Sequence, residues 1–291
     1  MERLFDFFDT SDFELILRIV WQALNVNQSL QIADDRTRVA YQHVRDCLIQ
    51  TVREIHPAHD VVSEHLPRIY EFLKSFDTVL SLNYDLLLYW SVTYRLDIDD
   101  DGHAFDDGHA FKDCFIGGRF DDNWQRFRQP IKQERSTTLV FYPHGSLILC
   151  RDRIEQEAKI HSRGAGPLGA ILERWKSEQV VPLSVSEGTA EQKMASIQSS
   201  YYLSTVYREV LPSARESLVI YGWGFGEYDL HLLRRMKQSG IRRVAVSVLN
   251  NDQAYCTRTA QILRDELGPA TQVKFFDCQS AGCWNHAAPE A

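Results

Sequence analysis

The sequence predicts an α/β protein: an open, mostly parallel sheet with helices on both faces, and a helical N-terminal section packed on it. Three observations point there. The first 75 residues carry apolar side chains at helical spacing. Five short apolar runs follow, each ending in polar or glycine residues, the texture of strands buried on both faces. Helical stretches lie between several of those runs, as parallel strand connections require. The whole chain, residues 1–291, reads as one domain, with residues 1–75 helical and residues 76–291 bearing the sheet.

Taken in order, residues 12–26 place Phe13, Ile16, Ile19, Val20, Ala23 and Leu24 on one face, with Ser11 or Asp12 able to cap the start. Residues 34–55 repeat the pattern less cleanly through Ala40, Val44, Cys47, Leu48 and Val52. Pro67 opens a third helix. The expected strands are residues 78–82, 139–142, 218–221, 244–249 and 273–276. Two stretches fit a sheet poorly. Residues 99–120 are polar and contain a hexapeptide, Asp-Asp-Gly-His-Ala-Phe, at 100–105 and again at 106–111. A perfect tandem copy reads as a duplication tolerated in a surface loop. Residues 151–169 read as a second loop or insertion. Thr189 with Gln192 forms a capping-box pattern, so a helix should start there. Its N-terminus either attracts an anion or is merely capped.

Composition narrows the function classes. The hydrophobic share of 44% suits a real core, and 25% charged with 11% aromatic residues argues against wholesale disorder. A net charge of −8 argues against a nucleic-acid partner, since phosphate backbones call for clustered Lys and Arg. No apolar run approaches the ~20 residues of a membrane-spanning helix. Residues 1–12 lack the basic-then-apolar pattern of a signal peptide, and six scattered cysteines read as reduced thiols, so a cytoplasmic setting is expected. Cys278, Cys283 and His286 match no zinc spacing, and no metal site is expected.

Three strand ends carry the chemistry-bearing residues. Leu82-Asn83-Tyr84-Asp85 ends one buried run, where ligands bind in open α/β sheets. Asn83 offers both a donor and an acceptor to a water or a sugar hydroxyl. The blander reading makes Asp85 a helix cap and Asn83 a turn residue. Tyr142-Pro143-His144-Gly145-Ser146 ends another run. His144 can take a proton near neutral pH, and Gly145 permits close approach of a ligand or of backbone. Tyr221-Gly222-Trp223-Gly224-Phe225 ends a third, where alternating glycines would expose backbone N–H groups to a phosphate or ribose. Asn250 ends a fourth and can hold a ribose.

In this order and rough spacing the motifs resemble those of sirtuins and bacterial sirtuin-like proteins. Asn83-Tyr84-Asp85 is similar to their Asn-x-Asp, His144-Gly145 to their Leu-His-Gly, and Gly222 to Phe225 to their Gly-Thr-Ser or Gly-Tyr-Ser loop. Val185-Ser186-Glu187-Gly188 with Lys193, Asp229 with His231, and Phe275-Phe276-Asp277 with Trp284 resemble a narrower bacterial group, the domain of unknown function 4917. The resemblance implies a Rossmann-like sheet that takes NAD as substrate. It implies that Asn83 positions the ribose and the attacking water, and that His144 accepts a proton from a ribose hydroxyl. Asp85 would orient the loop or the sugar. Gly222, Trp223, Gly224, Phe225, Asn250 and Gly145 would contact the nucleotide.

Two departures bear on that expectation. The chain opens at Met1-Glu2-Arg3-Leu4-Phe5, past the glycine-rich loop that cradles the pyrophosphate in the wider group, so the reading expects a truncated start or a degenerate pocket. No C-x-x-C module is present, which argues against protein deacylation. The function expected is cleavage of NAD to nicotinamide and ADP-ribose, by analogy in antiviral defence. The alternative is a non-catalytic nucleotide-binding or interaction module. The expected partner is a small nucleotide, with a homo-oligomer left open.

Overall fold

The computed structural model describes residues 2–94, 107–160, 166–185 and 188–288. The N-terminal section holds α1 (Glu2–Phe8), α2 (Phe13–Ser29), α3 (Asp35–Ile55), α4 (His59–Val62) and α5 (Leu66–Leu73). Asp12 caps α2, accepting a hydrogen bond from the Leu15 N–H at 2.8 Å. Asp34 does the same for α3 through the Arg36 N–H at 3.1 Å. The apolar stripe Ile16, Leu17, Val20, Trp21 and Leu24 of α2 is buried against Tyr41 and Val44 of α3 and Val181 of the strand region. Ile49, Val52, Leu66, Ile69 and Leu73 of α3 and α5 join the main core with Leu139, Val140 and Phe141. These helices need the strands to cover their apolar faces, which explains why the two sections pack together.

The rest runs β1 (Thr78–Leu80), α6 (Leu87–Thr93), β2 (His109–Lys112), β3 (Phe115–Ile116), β4 (Arg119–Phe120), β5 (Ser136–Phe141), β6 (Gly145–Asp152), β7 (Glu157–Lys159) and α7 (Pro167–Lys176). Then come β8 (Val180–Ser184), α8 (Ala190–Gln198), α9 (Tyr201–Thr205), β9 (Glu216–Ile220), α10 (His231–Met236), β10 (Ile241–Val248), α11 (Gln253–Leu267) and β11 (Gln272–Asp277). All five apolar runs expected as strands form them. The protein is mixed α/β, and its parallel strands fall into two three-stranded sheets, β1-β5-β2 and β11-β10-β9. One continuous sheet was expected. Instead the two sheets meet through side chains, with Leu80 packed into both of their cores. A third sheet, β7-β6-β8, is antiparallel, and β3 with β4 forms a hairpin. No described helix is long and apolar enough to cross a membrane.

The two stretches read as loops need correction. Residues 151–169 are not a loop throughout, because β6 extends to Asp152, β7 pairs back on it, and α7 starts at Pro167. Arg151, the first residue of that stretch, is buried. Glu155 and Glu157 each lie 3.4 Å from its guanidinium, and the Ser199 carbonyl accepts from it at 3.0 Å. Ion pairing and hydrogen bonding let a charged residue sit inside a strand. In the hexapeptide repeat, the first copy lies outside the described residues. The second supplies β2, which pairs in parallel with β5 from His109 to Lys112. Asp107 accepts from Lys74 at 2.9 Å, and the His109 ring meets the Ser136 and Thr138 hydroxyls at 2.7 and 3.0 Å. A strand edge was open beside β5, and an Ala-Phe pair with Lys112 satisfied it. Because the copies are identical, removing either leaves the same chain, with one copy still in register for β2.

Candidate functional site

β1 and β5 run in parallel with Leu80 opposite Phe141, so both strands end at the same edge. Asn83 and His144 each sit three residues beyond those ends and are delivered to one place. Backbone bonds then hold the two turns together. The Tyr84 carbonyl accepts from the Leu147 N–H at 2.9 Å and from the Ser146 hydroxyl at 3.4 Å. The Val185 N–H donates to the His144 carbonyl at 2.8 Å, tying the same turn to the end of β8. A parallel sheet leaves its carboxyl ends open to ligand, and these strand ends surround a cavity of about 620 Å³. Its wall includes Asn83, Asp85, His144, Trp223, Lys193 and Asp229.

The expected site residues divide into groups. Asn83, Asp85, His144 and Trp223 share the cavity. The Asn83 amide is exposed and makes no side-chain hydrogen bond among the described residues, leaving donor and acceptor available. Asp85 accepts from the Leu87 N–H at 2.9 Å, so its carboxylate caps the start of α6 while it lines the cavity. Gly145 does not line it. The glycine has φ +81°, and a Cβ there would lie 2.2 Å from the Leu183 carbonyl oxygen, so the close approach it permits is that of β8. Gly222, with φ +67°, donates its N–H to the Ser247 hydroxyl at 3.0 Å. Gly224 has open space where a side chain would be. Phe225 is buried and stacks on Trp223 with ring centroids 4.6 Å apart. Asn250 is exposed in the turn after β10, with φ 54°, and does not reach the cavity wall.

Electrostatics set His144 apart. It is 3% exposed, and burial pushes its pKa down to about 4. Asp229 opposes that shift, while His231 and Lys193 add to it. His144 is therefore neutral at physiological pH, with a ring lone pair available but less basic than that of an ordinary imidazole. Its Nε2 lies 3.5 Å from Nε2 of His231. His231 is also buried, its pKa is lowered by burial, and its Nδ1 meets the Tyr228 carbonyl at 2.9 Å. Lys193 donates to Asp229 at 2.7 Å with its side chain 3% exposed. The capping box at Thr189 and Gln192 forms as the sequence predicts, and it starts the helix that carries Lys193.

The family model for a domain of unknown function, DUF4917, matches residues 1–284. The chain belongs to that family. Among curated proteins, none matches the chain. The family description carries no activity, so the geometry of the cavity carries the functional reading. Lys193, Asp229 and His231 had entered the sequence reading only as features shared with this family, with no role attached. What singles them out is burial of charge and of imidazole beside the cavity, which is a property of the fold and not of spacing.

Proposed function

We propose that the cavity binds NAD and cleaves it to nicotinamide and ADP-ribose, on a sheet edge that works as a Rossmann-like nucleotide site. The observation that carries the reading is the convergence of Asn83, His144 and Trp223 on one cavity from three separate strand ends. The resemblance of the surrounding motifs to those of sirtuin-like proteins supplies the chemistry. In this reading the Asn83 amide holds a ribose hydroxyl and the attacking water together. Neutral His144 takes the proton from a ribose hydroxyl as the bond to nicotinamide breaks. The ribose oxygen regains a proton from the water as that water adds to the anomeric carbon, so that one proton is released through His144. The Asp85 carboxylate, shared with the start of α6, holds the Asn83 turn in place and faces the electron-poor ribose. Trp223 offers an aromatic face to a ring of the nucleotide.

Nicotinamide release followed by chromatography tests this. Asn83→Ala abolishes turnover, because the amide that holds the ribose hydroxyl and the water together is lost. His144→Ala lowers it by roughly 10²–10⁴-fold, the range for losing a general base. Equal rates for wild type and Asn83→Ala contradict the assignment. Binding of NAD by wild type without any nicotinamide release replaces the enzyme with a nucleotide-binding module acting in defence or in another cytoplasmic response.

A further inference from the structure

His231 comes from α10, on a different part of the chain from His144, and the two rings meet inside the protein. Their centroids are 5.5 Å apart and their planes differ by 29°, while the two Nε2 atoms are 3.5 Å apart. The centroids are farther apart than the nitrogens, so the rings approach nitrogen to nitrogen and not face to face. A neutral imidazole carries one N–H and one lone pair. In His231 the Nδ1 sits 2.9 Å from the Tyr228 carbonyl oxygen, which can only accept, so Nδ1 bears the proton. The His231 Nε2 is then a lone pair. The facing Nε2 of His144 must supply the hydrogen, because two lone pairs at that separation repel.

We propose that His231 is a positioning residue for His144. It accepts the His144 Nε2–H and thereby leaves Nδ1 as the basic nitrogen that serves the cavity. The one side-chain hydrogen bond that His144 makes among the described residues is at Nε2, and the residue lines the cavity. The device is anchored through the backbone: Tyr228 orients His231, and His231 selects the tautomer of His144. When Nδ1 takes a proton, the imidazolium keeps its Nε2–H on His231, so the charge that appears meets a prepared acceptor. The other charged groups acting on the pair are Asp229, next to α10, and Lys193 of α8, which are bonded to each other, and Arg234 of α10, which acts on His231. The tautomer is set by the hydrogen bonds that the two rings make. That the proton comes from a ribose hydroxyl rests on the function proposed above, whereas the tautomer does not.

The test is two-bond ¹H–¹⁵N NMR on the full chain labelled at histidine, at pH 7. In the wild type, His144 is expected to be protonated at Nε2 alone and His231 at Nδ1 alone. His231→Ala is expected to turn His144 into a mixture of tautomers. His231→Gln, whose side-chain oxygen can accept the same hydrogen, is expected to restore the single form. In the nicotinamide assay His231→Ala lowers kcat by at least about tenfold with little change in KM, and Gln recovers most of it, because a misplaced tautomer costs the proton-transfer step and not binding. A wild-type His144 protonated at Nδ1 overturns the proposal, and that spectrum decides the matter even if the alanine variant does not fold. An unchanged single tautomer in folded His231→Ala also overturns it. If the wild type shows the expected tautomers but never releases nicotinamide, the NAD reading fails and the histidine pair stands.

Discussion

The turn after β5 and the loop after β9 look alike in sequence, each an apolar strand running into glycine, but they use that glycine for different ends. At Gly145 the space is filled by the chain itself, with the Leu183 carbonyl 2.2 Å from where a Cβ would stand. At Gly222 and Gly224 nothing lies within 4 Å of that position. The first turn is sealed and holds a buried histidine in a fixed place. The second is open and leaves backbone accessible beside Trp223. Glycine after a strand therefore marks either tight packing or free space, and only the neighbouring strand decides which.

The comparison is sharpest at Gly145. Replacement by alanine forces a side chain onto β8 backbone at a left-handed φ, and the expected loss of stability is on the order of 3 kcal/mol, read by urea denaturation. A stability within a few tenths of wild type breaks the description of a sealed turn. The sealed turn also predicts an acid response. The folded-state pKa of His144, about 4, lies below its ordinary 6.5. Between those values the unfolded chain binds more protons at this site, so stability is complete above about pH 6.5 and declines as the pH falls toward 4. Thermal melts of wild type and His144→Gln across that range check the point, with the variant expected to show a shallower acid decline. The smallest effect belongs to the open loop. Gly222→Ala places an alanine at φ +67° with no clash, so about 1 kcal/mol of backbone strain is expected. A loss as large as that at Gly145 would show the loop to be packed after all.

Much of this was legible in the sequence because burial on both faces leaves apolar runs, and all five such runs became strands. The capping box at Thr189 and the cap at Asp12 were legible for a similar reason, since both are local. What escaped was set by distant partners. β6 carries a buried Arg151 whose neutralising glutamates lie on β7 and the turn before it, so its charge mimicked a loop. β2 is polar because it closes an edge, and its pairing with β5 cannot be read from Asp-Asp-Gly-His-Ala-Phe. In the site, Asn83 and His144 were legible from their place at strand ends. At Gly145 close approach of a ligand or of backbone was legible, but not which of the two, because the Leu183 carbonyl approaches it from a strand 38 positions later in the chain. His231 and Lys193 likewise gain their meaning from a meeting of α8, α10 and the β5–β6 turn.

The central claim is that Asn83 and His144 serve one nucleotide in one cavity. Calorimetric titration with ADP-ribose tests it without turnover. Wild type is expected to bind, and Asn83→Ala to bind weaker by about 1–3 kcal/mol, the cost of losing the amide's hydrogen bonds to the ligand. Gly145→Ala, even where it folds, is expected to weaken binding only as far as it displaces His144. Equal affinity of wild type and Asn83→Ala for ADP-ribose, or no binding by either, contradicts the account.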